Sequence, residues 1–198
     1  MIIRKEFRVE SAHIVRNCTS HRCSHSIHGH SAVIEVFLES GQLDNAQMVY
    51  DFGLMKGTVK QFIDSMDHCY LLCSKDSKEF KDFIKKNCDR WIELPFNPSA
   101  EMLSMYILNN VQKIIDKTVK NNGEDPTLTV KAVRYHETTT GWAEASQADL
   151  AYLYLPITKD QKVIYSPGVI KDWSDDLADI MIHDMLVKNP VVEQQIEL

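Results

Sequence analysis

The chain has 198 residues, of which 44% are hydrophobic and 25% are charged. This composition is typical of one globular domain and excludes disordered, collagen-like and low-complexity proteins. Lys and Arg number 22 against 28 Asp and Glu, so the formal net charge is −6 and no global positive field favours nucleic-acid binding. The seven glycines are scattered and form neither a dinucleotide-binding fingerprint nor a phosphate-binding loop.

Membrane insertion and secretion are not expected either. No stretch reaches the roughly 18 consecutive apolar residues that a spanning helix needs. Residues 1–10 carry charges where a signal peptide needs its apolar core, so a cytoplasmic location is expected. The five cysteines are an odd number at irregular spacing, which does not indicate a disulfide framework. A cysteine with a particular role is then expected to be reactive or to bind a metal, and the others to be simply buried.

The hydrophobic pattern changes between strand and helix periodicity along the chain. In the first half the predicted elements are a strand over residues 2–13, an irregular polar loop over 16–26, a strand over 27–38, a short strand over 48–52, a helix over 53–66 and a Lys-rich amphipathic stretch around 80–84. In the second half they are a helix that starts at Asn97 and Pro98, strands over 127–136 and 142–155, and a last helix around Trp173, Leu177 and Ile180. This order indicates an α+β fold rather than alternating βαβ units.

Two of these elements carry the clearest signals. The first strand alternates, and one of its faces carries Phe7, Val9, Ser11 and His13. The helix after Pro98 begins with a capping residue, a first-turn proline and an acidic residue that suits the positive helix N-terminus. Its predicted buried stripe consists of Leu103, Ile107, Val111 and Ile114.

Five of the eight histidines lie between positions 13 and 30. His28 and His30 are two residues apart on a predicted strand, so both imidazoles project from one face, about 6.6 Å apart at a rise of about 3.3 Å per residue. His13 ends the first strand, and its face meets theirs if the two strands pair across the loop. Three neutral nitrogens with an open fourth position are typical of catalytic zinc. The pattern therefore favours a metal site at His13, His28 and His30.

A second metal site can be drawn from the same segment. Cys18, Cys23, His28 and His30 could form a closed tetrahedral set. This set is less favoured, because a strand pair of histidines does not resemble the helical spacing of zinc fingers and because it leaves His13 without a role.

The sequence also resembles a known family over residues 7–154. The matching motifs, in order, are FRVESAH, SHRCSHSIHGH, MVYDF, DSMDHCYLL, NPSAE and HETTTGWAEAS. They are similar to the successive motifs of the 6-pyruvoyltetrahydropterin synthase and 6-carboxytetrahydropterin synthase family. The resemblance implies a T-fold, in which an antiparallel sheet with two helices on one face closes into a barrel when subunits assemble, commonly as a hexamer. It also implies a domain over residues 1–156. The C-terminal extension over 157–198 lies outside the match and contains the helix predicted from Trp173, Leu177 and Ile180.

The function implied by the resemblance is a zinc-dependent lyase reaction on 7,8-dihydroneopterin triphosphate. The preferred activity is 6-carboxy-5,6,7,8-tetrahydropterin synthase, which yields 6-carboxytetrahydropterin, acetaldehyde and triphosphate on the route to 7-deazaguanine and queuosine. The alternative activity is the pyruvoyl-forming synthase, which eliminates triphosphate. From a different class, the chain could be a non-catalytic zinc-binding assembly protein on the same fold.

The resemblance also assigns roles to individual residues. The zinc ligands would be His13, His28 and His30, the catalytic residues would be Cys23, Asp67 and His68, and the substrate-binding residues would be Glu137 and Glu101. Cys23 resembles the family's base, His68 would exchange protons, and Asp67 would fix the His68 tautomer. Glu137 resembles the pterin anchor, whereas Glu101 would only support the site.

Each role has a simpler structural explanation. Asp67 and His68 could be a polar helix end, and Glu137 an exposed turn residue. Cys69 and Cys73 are expected to be packing residues.

The sequence departs from the family pattern at two points. Cys23 stands five positions before His28, whereas the family cysteine usually stands four before this motif, so Cys18 and His25 remain candidates for its role. Ser99 stands where a threonine is usual, which is a mild change.

Overall fold

The first two strands form the long antiparallel pair on which the sheet is built. The computed structural model describes residues 1–154 and 162–189. Strand β1 (Ile2–His13) pairs with β2 (His28–Glu39) along their full lengths, with Ile2 opposite Glu39 and His13 opposite His28. The alternation in β1 is reflected in its burial, because Phe7, Val9 and His13 face the core. The expected pairing across the intervening loop is therefore confirmed.

Five further strands extend the sheet on both sides of this pair. They are β3 (Cys69–Cys73), β4 (Trp91–Leu94), β5 (Thr129–His136), β6 (Trp142–Ser146) and β7 (Ile164–Tyr165). The sheet order is β6-β5-β2-β1-β3-β4-β7. The pairs on the β2 side are antiparallel, whereas β1 and β3, and β3 and β4, are parallel. β3 pairs with β1 only from Ser11 to His13.

The helices pack on both faces of the sheet, because Phe80 and Ile84 contact Tyr70 and Leu72 on the face opposite the main core. They are α1 (His21–His25), α2 (Phe52–Leu54), a π-helical turn (Met55–Val59), α3 (Lys60–Asp64), α4 (Lys78–Asn87), α5 (Ala100–Lys117), a 3-10 turn (Gln147–Asp149), α6 (Leu150–Tyr154), α7 (Pro167–Ile170) and α8 (Asp175–His183). α5 packs against β5 and β6, and α3 packs against β1. None of the helices in the described parts of the chain is long and apolar enough to cross a membrane.

Several predicted elements differ from the structure. The short strand predicted over residues 48–52 is wrong, because Asp51 instead caps α2 by accepting a hydrogen bond from the Gly53 N–H at 2.6 Å. The strand predicted from Trp142 ends at Ser146, where Ser146 and Asp149 form a capping box that starts the next helical turn. The polar loop contains the short helix α1, and α5 is capped by Ser99 rather than by Asn97.

The C-terminal segment, residues 162–189, packs on the same core as residues 1–154. The helix predicted around Leu177 and Ile180 is confirmed as α8, and both side chains are fully buried. Val169 and Val187 join the same apolar cluster. The predicted domain boundary after residue 156 lies outside the described residues, and so does the segment from 190 to the end.

Candidate metal centre and active site

The register of β1 and β2 brings three histidines together at one end of the sheet. His13 lies opposite His28, and Ser11 lies opposite His30, so the three imidazoles share the face that carries Val9 and Ile34. One ligand nitrogen from each ring lies within 4.8 Å of the others. The ring centroids are 4.6 Å apart for His13 and His28 and 5.1 Å apart for His28 and His30. The predicted grouping of these residues is present in the structure.

In two of the three rings the Nδ1 atom already makes a hydrogen bond. Nδ1 of His13 donates to the Pro98 carbonyl at 2.8 Å, and Nδ1 of His28 donates to the Ser26 carbonyl at 3.0 Å, because a carbonyl can only accept. The Nε2 lone pairs of these two rings are therefore free to bind a ligand. Nε2 of His13 and of His30 are buried without a hydrogen-bond partner. Backbone carbonyls that fix the tautomer in this way are typical of metal-ligating histidines.

The electrostatics of His13 also suit a metal ligand. Its side chain is only 3% exposed, and burial, reinforced by the neighbouring His28, lowers the pKa of His13 to about 4. The imidazole is consequently neutral near neutral pH, which is the form that binds a cation. The three residues present thus fit a divalent metal ion with nitrogen ligands.

Glu137 lies beside the three histidines, directly after β5. Its Oε1 is 3.5 Å from Nε2 of His13 and 3.7 Å from Nε2 of His30, and its side chain is 30% exposed. The carboxylate therefore faces both the ligand nitrogens and solvent, a position from which it can reach a molecule bound over the metal site. Its predicted role as pterin anchor stays a prediction.

Cys23 lies in α1, within the loop that joins β1 to β2. Its carbonyl accepts a hydrogen bond from the Val15 N–H at 2.9 Å, which ties the helix to the end of β1. The Cys23 side chain is partly exposed. Within the described residues, the only group of three or more potential ligands consists of the three histidines, and it contains neither Cys18 nor Cys23. The structure therefore does not assemble the closed Cys2His2 alternative.

The other two candidates in this loop have local partners. Cys18 lines a cavity of about 840 Å³ together with Arg16, and its Sγ donates to the Ser20 carbonyl. His25 is exposed and stacks on His21, with ring centroids 4.2 Å apart.

Asp67 and His68 form a hydrogen-bonded pair in the turn between α3 and β3. Nδ1 of His68 donates to Oδ2 of Asp67 at 3.0 Å, and the His68 side chain is 78% exposed. Burial alone would raise the pKa of Asp67, but hydrogen bonds from the Glu10 backbone and from His68 lower it below its ordinary value. The pair therefore places a carboxylate with a lowered pKa against Nδ1 of His68, and its role in fixing the His68 tautomer stays a prediction.

Within a single subunit, the Asp67–His68 pair is not bonded to the ligand nitrogens. His68 lines a cleft of about 610 Å³ with Glu10, Ser31 and also His30. Glu10 and Ser31 lie opposite each other in β1 and β2 and alternate with the residues of the histidine face. In the parts of the chain that the structure describes, no hydrogen bond or ion pair links Asp67 or His68 to the three histidines.

The loop before α5 supports the site in a way that was not predicted. The Asn97 side chain bonds both the N–H and the carbonyl of Arg16, at 2.9 and 2.7 Å, so it fixes the end of β1 against the Pro98 carbonyl that orients His13. Only the NPSAE motif pointed to this loop. Ser99 caps α5 through the Met102 N–H, so the serine keeps the hydroxyl of the usual threonine. Glu101 is exposed in the first turn of α5, and its support of the site stays a prediction.

Comparison with known proteins agrees with this geometry. The family model described as 6-pyruvoyl tetrahydropterin synthase matches residues 2–148. A 6-carboxy-5,6,7,8-tetrahydropterin synthase of Helicobacter pylori (strain J99) is 41% identical over 176 residues, covering 88% of this chain and 88% of that protein. The protein of the same name from Aquifex aeolicus is 30% identical over 131 residues, covering 58% of this chain and 81% of that protein.

Solved structures agree on the fold. An uncharacterised protein from Wolinella succinogenes superimposes with a TM-score of 0.61 at 20% identity, covering 74% of this chain and 98% of its own. The 6-pyruvoyl tetrahydropterin synthase of Plasmodium vivax gives a TM-score of 0.52 at 18% identity, covering 73% and 97%. These likenesses confirm the expected T-fold of the single chain. Its sheet is mixed rather than purely antiparallel, and the closure into a barrel stays a prediction. Because the family model matches most of the chain, this protein belongs to the 6-pyruvoyl tetrahydropterin synthase family.

Proposed function

We propose that this protein is a 6-carboxy-5,6,7,8-tetrahydropterin synthase. It would convert 7,8-dihydroneopterin triphosphate to 6-carboxytetrahydropterin, acetaldehyde and triphosphate, on the route to 7-deazaguanine and queuosine. The observation that carries this proposal is the buried, unpartnered pair of Nε2 atoms on His13 and His30, which converge with His28 beside the Glu137 carboxylate. The Helicobacter pylori relative, 41% identical over most of both chains, favours the carboxylated product.

The metal in this proposal is zinc, held by His13, His28 and His30. Three neutral imidazoles leave coordination positions open for substrate, as catalytic zinc sites do. Bound there, zinc would lower the pKa of the substrate's side-chain hydroxyls and stabilise a developing enolate.

The chain's own groups would bind the pterin and move the protons. The Glu137 carboxylate would accept two parallel hydrogen bonds from the ring N–H and the exocyclic amine, which orients the side chain of the substrate toward the histidines. Cys23 Sγ would accept a proton as the base. Nδ1 of His68 donates to Asp67, so its Nε2 is the atom that would exchange protons with substrate.

The active site in this proposal forms between subunits of a hexamer. Among the described residues, β1 is paired with β3 only from Ser11 onward, and Glu10 is bonded to the Asp67–His68 turn. The backbone of residues 2–9 is therefore a free sheet edge, and β6 is the opposite edge. Free edges invite pairing, and barrel closure removes them. Ile2 and Trp142, on these two edges, are 51% and 54% exposed. The Asp67–His68 turn is bonded to Glu10 at the end of the β1 edge, where a neighbouring subunit would dock.

The C-terminal extension is proposed as an addition to the T-fold domain rather than as a second domain. The family model ends at residue 148, while the Helicobacter pylori relative aligns over 176 residues, more than the whole of residues 1–156. Part of the extension is thus shared with that relative.

A second candidate activity is the pyruvoyl-forming synthase, because the matching family model bears that name. A non-catalytic zinc-binding assembly protein is disfavoured, since such a protein has no need to retain Cys23, Asp67, His68 and Glu137 together.

The test is to incubate the zinc-loaded protein with 7,8-dihydroneopterin triphosphate and to identify the products by mass spectrometry. We expect 6-carboxytetrahydropterin with an equal amount of acetaldehyde. A pyruvoyl product without acetaldehyde would support the second candidate. Unchanged substrate with a fully metallated protein would support the assembly protein.

A further inference from the structure

Arg90 joins the Asp67–His68 turn to the C-terminal segment. Its guanidinium donates to the backbone carbonyls of Asp64 at 2.8 Å, Ser65 at 3.4 Å and Asp67 at 2.9 Å. On its other side it donates to the Gly168 carbonyl at 3.0 Å and to Asp172 at 2.5 Å. The side chain is only 18% exposed. A planar guanidinium can bind several acceptors in a fixed geometry, which an ammonium group cannot do.

The turn that Arg90 holds has an unusual backbone. His68 has a φ of 49°, in the left-handed region that non-glycine residues seldom adopt. β1 holds the turn from one side, because the His68 N–H donates to the Glu10 carbonyl and Oδ1 of Asp67 accepts from the Glu10 N–H, both at 2.7 Å. Arg90 holds it from the other side. Such a conformation persists only where the surroundings fix it.

The C-terminal segment adds further contacts to the same turn. Nε1 of Trp173 donates to Oγ of Ser65 at 2.8 Å, and Oγ of Ser174 donates to the Gln61 side chain at 2.7 Å. Gly168 lies so close to Asp89 that an added Cβ would be 2.3 Å from the Asp89 carbonyl oxygen. This close approach lets the Gly168 carbonyl reach Arg90. The C-terminal segment and the Asp67–His68 turn are therefore linked by polar contacts between residues that are far apart in the sequence.

We infer that Arg90 is a positioning residue for His68, and that the C-terminal segment completes its anchorage. Arg90 fixes the carbonyls of Asp64, Ser65 and Asp67. It thereby keeps the Asp67 carboxylate against Nδ1 of His68 and so keeps Nε2 directed toward substrate. Arg90 lines the same cleft as His68, and among the described residues no hydrogen bond or ion pair joins its guanidinium to the three histidines or to the His68 ring. That His68 takes part in catalysis rests on the proposed function. That Arg90 positions His68 does not depend on it.

The test combines turnover with a spectroscopic measurement on His68. The variants are Arg90→Gln and, as a milder change, Trp173→Phe, which keeps an aromatic ring but loses the bond to Ser65. The control is Lys171→Gln, which removes an exposed ion pair with Asp89 from the same segment. The imidazole ¹⁵N shifts of His68, assigned with His68→Gln and recorded where the ring is neutral, show which nitrogen carries the hydrogen.

In Arg90→Gln we expect His68 to lose its fixed Nδ1–H tautomer and turnover to fall at least tenfold, while zinc content stays at that of the parent protein. Trp173→Phe should show a smaller change of both, and Lys171→Gln neither. If Arg90→Gln does not fold, Trp173→Phe decides. An unchanged His68 tautomer with turnover within twofold of the parent would overturn the inference. If the tautomer changes while both Arg90→Gln and His68→Gln remain fully active, the positioning stands and the catalytic role of the pair fails.

Discussion

Glu137 is the residue at which substrate binding can be separated from metal binding. Replacing Glu137 by alanine removes a carboxylate that would make two charge-assisted hydrogen bonds to the pterin. We expect the affinity for a dihydropterin ligand to fall by on the order of 2 to 5 kcal/mol, because the buried donors of the ring are left unpaired. Equilibrium dialysis of ligand, with metal analysis of the same samples, measures both quantities.

The metal content of this variant should stay at the parent level, since the three histidines are intact. Glu144→Ala is the matched control, because this carboxylate on β6 binds Arg134 of β5 instead of facing the histidines. Unchanged ligand affinity in Glu137→Ala would make Glu137 a turn residue.

Cys23 is the residue at which the family pattern is least regular. A thiol acts as a base only when it is partly ionised, so Cys23 should react with iodoacetamide faster than Cys69, Cys73 or Cys88. Burial raises the pKa of Cys69 to about 12 and also raises that of Cys73, which makes both slow. We expect Cys23→Ala to retain zinc but to lose turnover by at least the roughly 10²-fold that a general base contributes.

Cys18→Ala is the control for this experiment and should remain largely active. An inactive Cys18→Ala beside an active Cys23→Ala would show that the additional residue before His28 has moved the base.

At the scale of elements, the Asp125 side chain links the residues that follow β2 to those that precede β5. Its carboxylate accepts hydrogen bonds from the Thr127 side chain and N–H at 2.6 and 2.7 Å, and from Ser40 Oγ and the Gly41 N–H at 2.9 and 2.8 Å. These bonds, those from Thr127 foremost, hold the pKa of Asp125 well below its usual range. A lowered folded-state pKa adds stability above the unfolded value of about 3.9 and loses it as the pH falls toward the folded value.

Asp125→Asn should therefore lower the melting temperature by several degrees at neutral pH and by less at about pH 3. Thermal unfolding at the two pH values measures the difference. Asp82→Asn, at an exposed pair with Lys78, should change little at either pH. An equal loss at both pH values would contradict this account of Asp125.

Local periodicity predicted the elements that have one buried face. β1 and β2 alternate, and α5 carries an apolar stripe, so pattern alone identified them. β3 was missed because all five of its residues, Cys69–Cys73, are buried and show no alternation. The residues of MVYDF look like a strand, but Asp51 competes for the backbone and starts a helix instead.

In the candidate site too, the sequence predicted what depends on local strand geometry and not what depends on long-range contacts. The two histidines of β2 and the one ending β1 follow from strand geometry once the two strands pair. The Pro98 carbonyl behind His13, the approach of Glu137 and the anchorage by Arg90 depend on contacts between residues far apart in the chain. No local pattern encodes such contacts.

At the scale of the whole molecule, the free edges of β1 and β6 predict association. Light scattering at micromolar concentration should give a hexamer. Trp142→Glu places a charge on the exposed β6 edge and should shift the protein toward smaller species, whereas Phe83→Glu, at a comparably exposed position on α4, should not. A stable monomer of the parent protein would contradict both the assembly and a site shared between subunits.

The account depends most on the three histidines acting as one metal centre, and metal content tests this directly. Elemental analysis of the purified protein should find one zinc per subunit. His13→Ala should lose it, because the alternative set of Cys18, Cys23, His28 and His30 is not assembled in the fold. Cys18→Ala should keep it. Full zinc content in His13→Ala, together with loss of zinc from Cys18→Ala, would contradict the proposed centre.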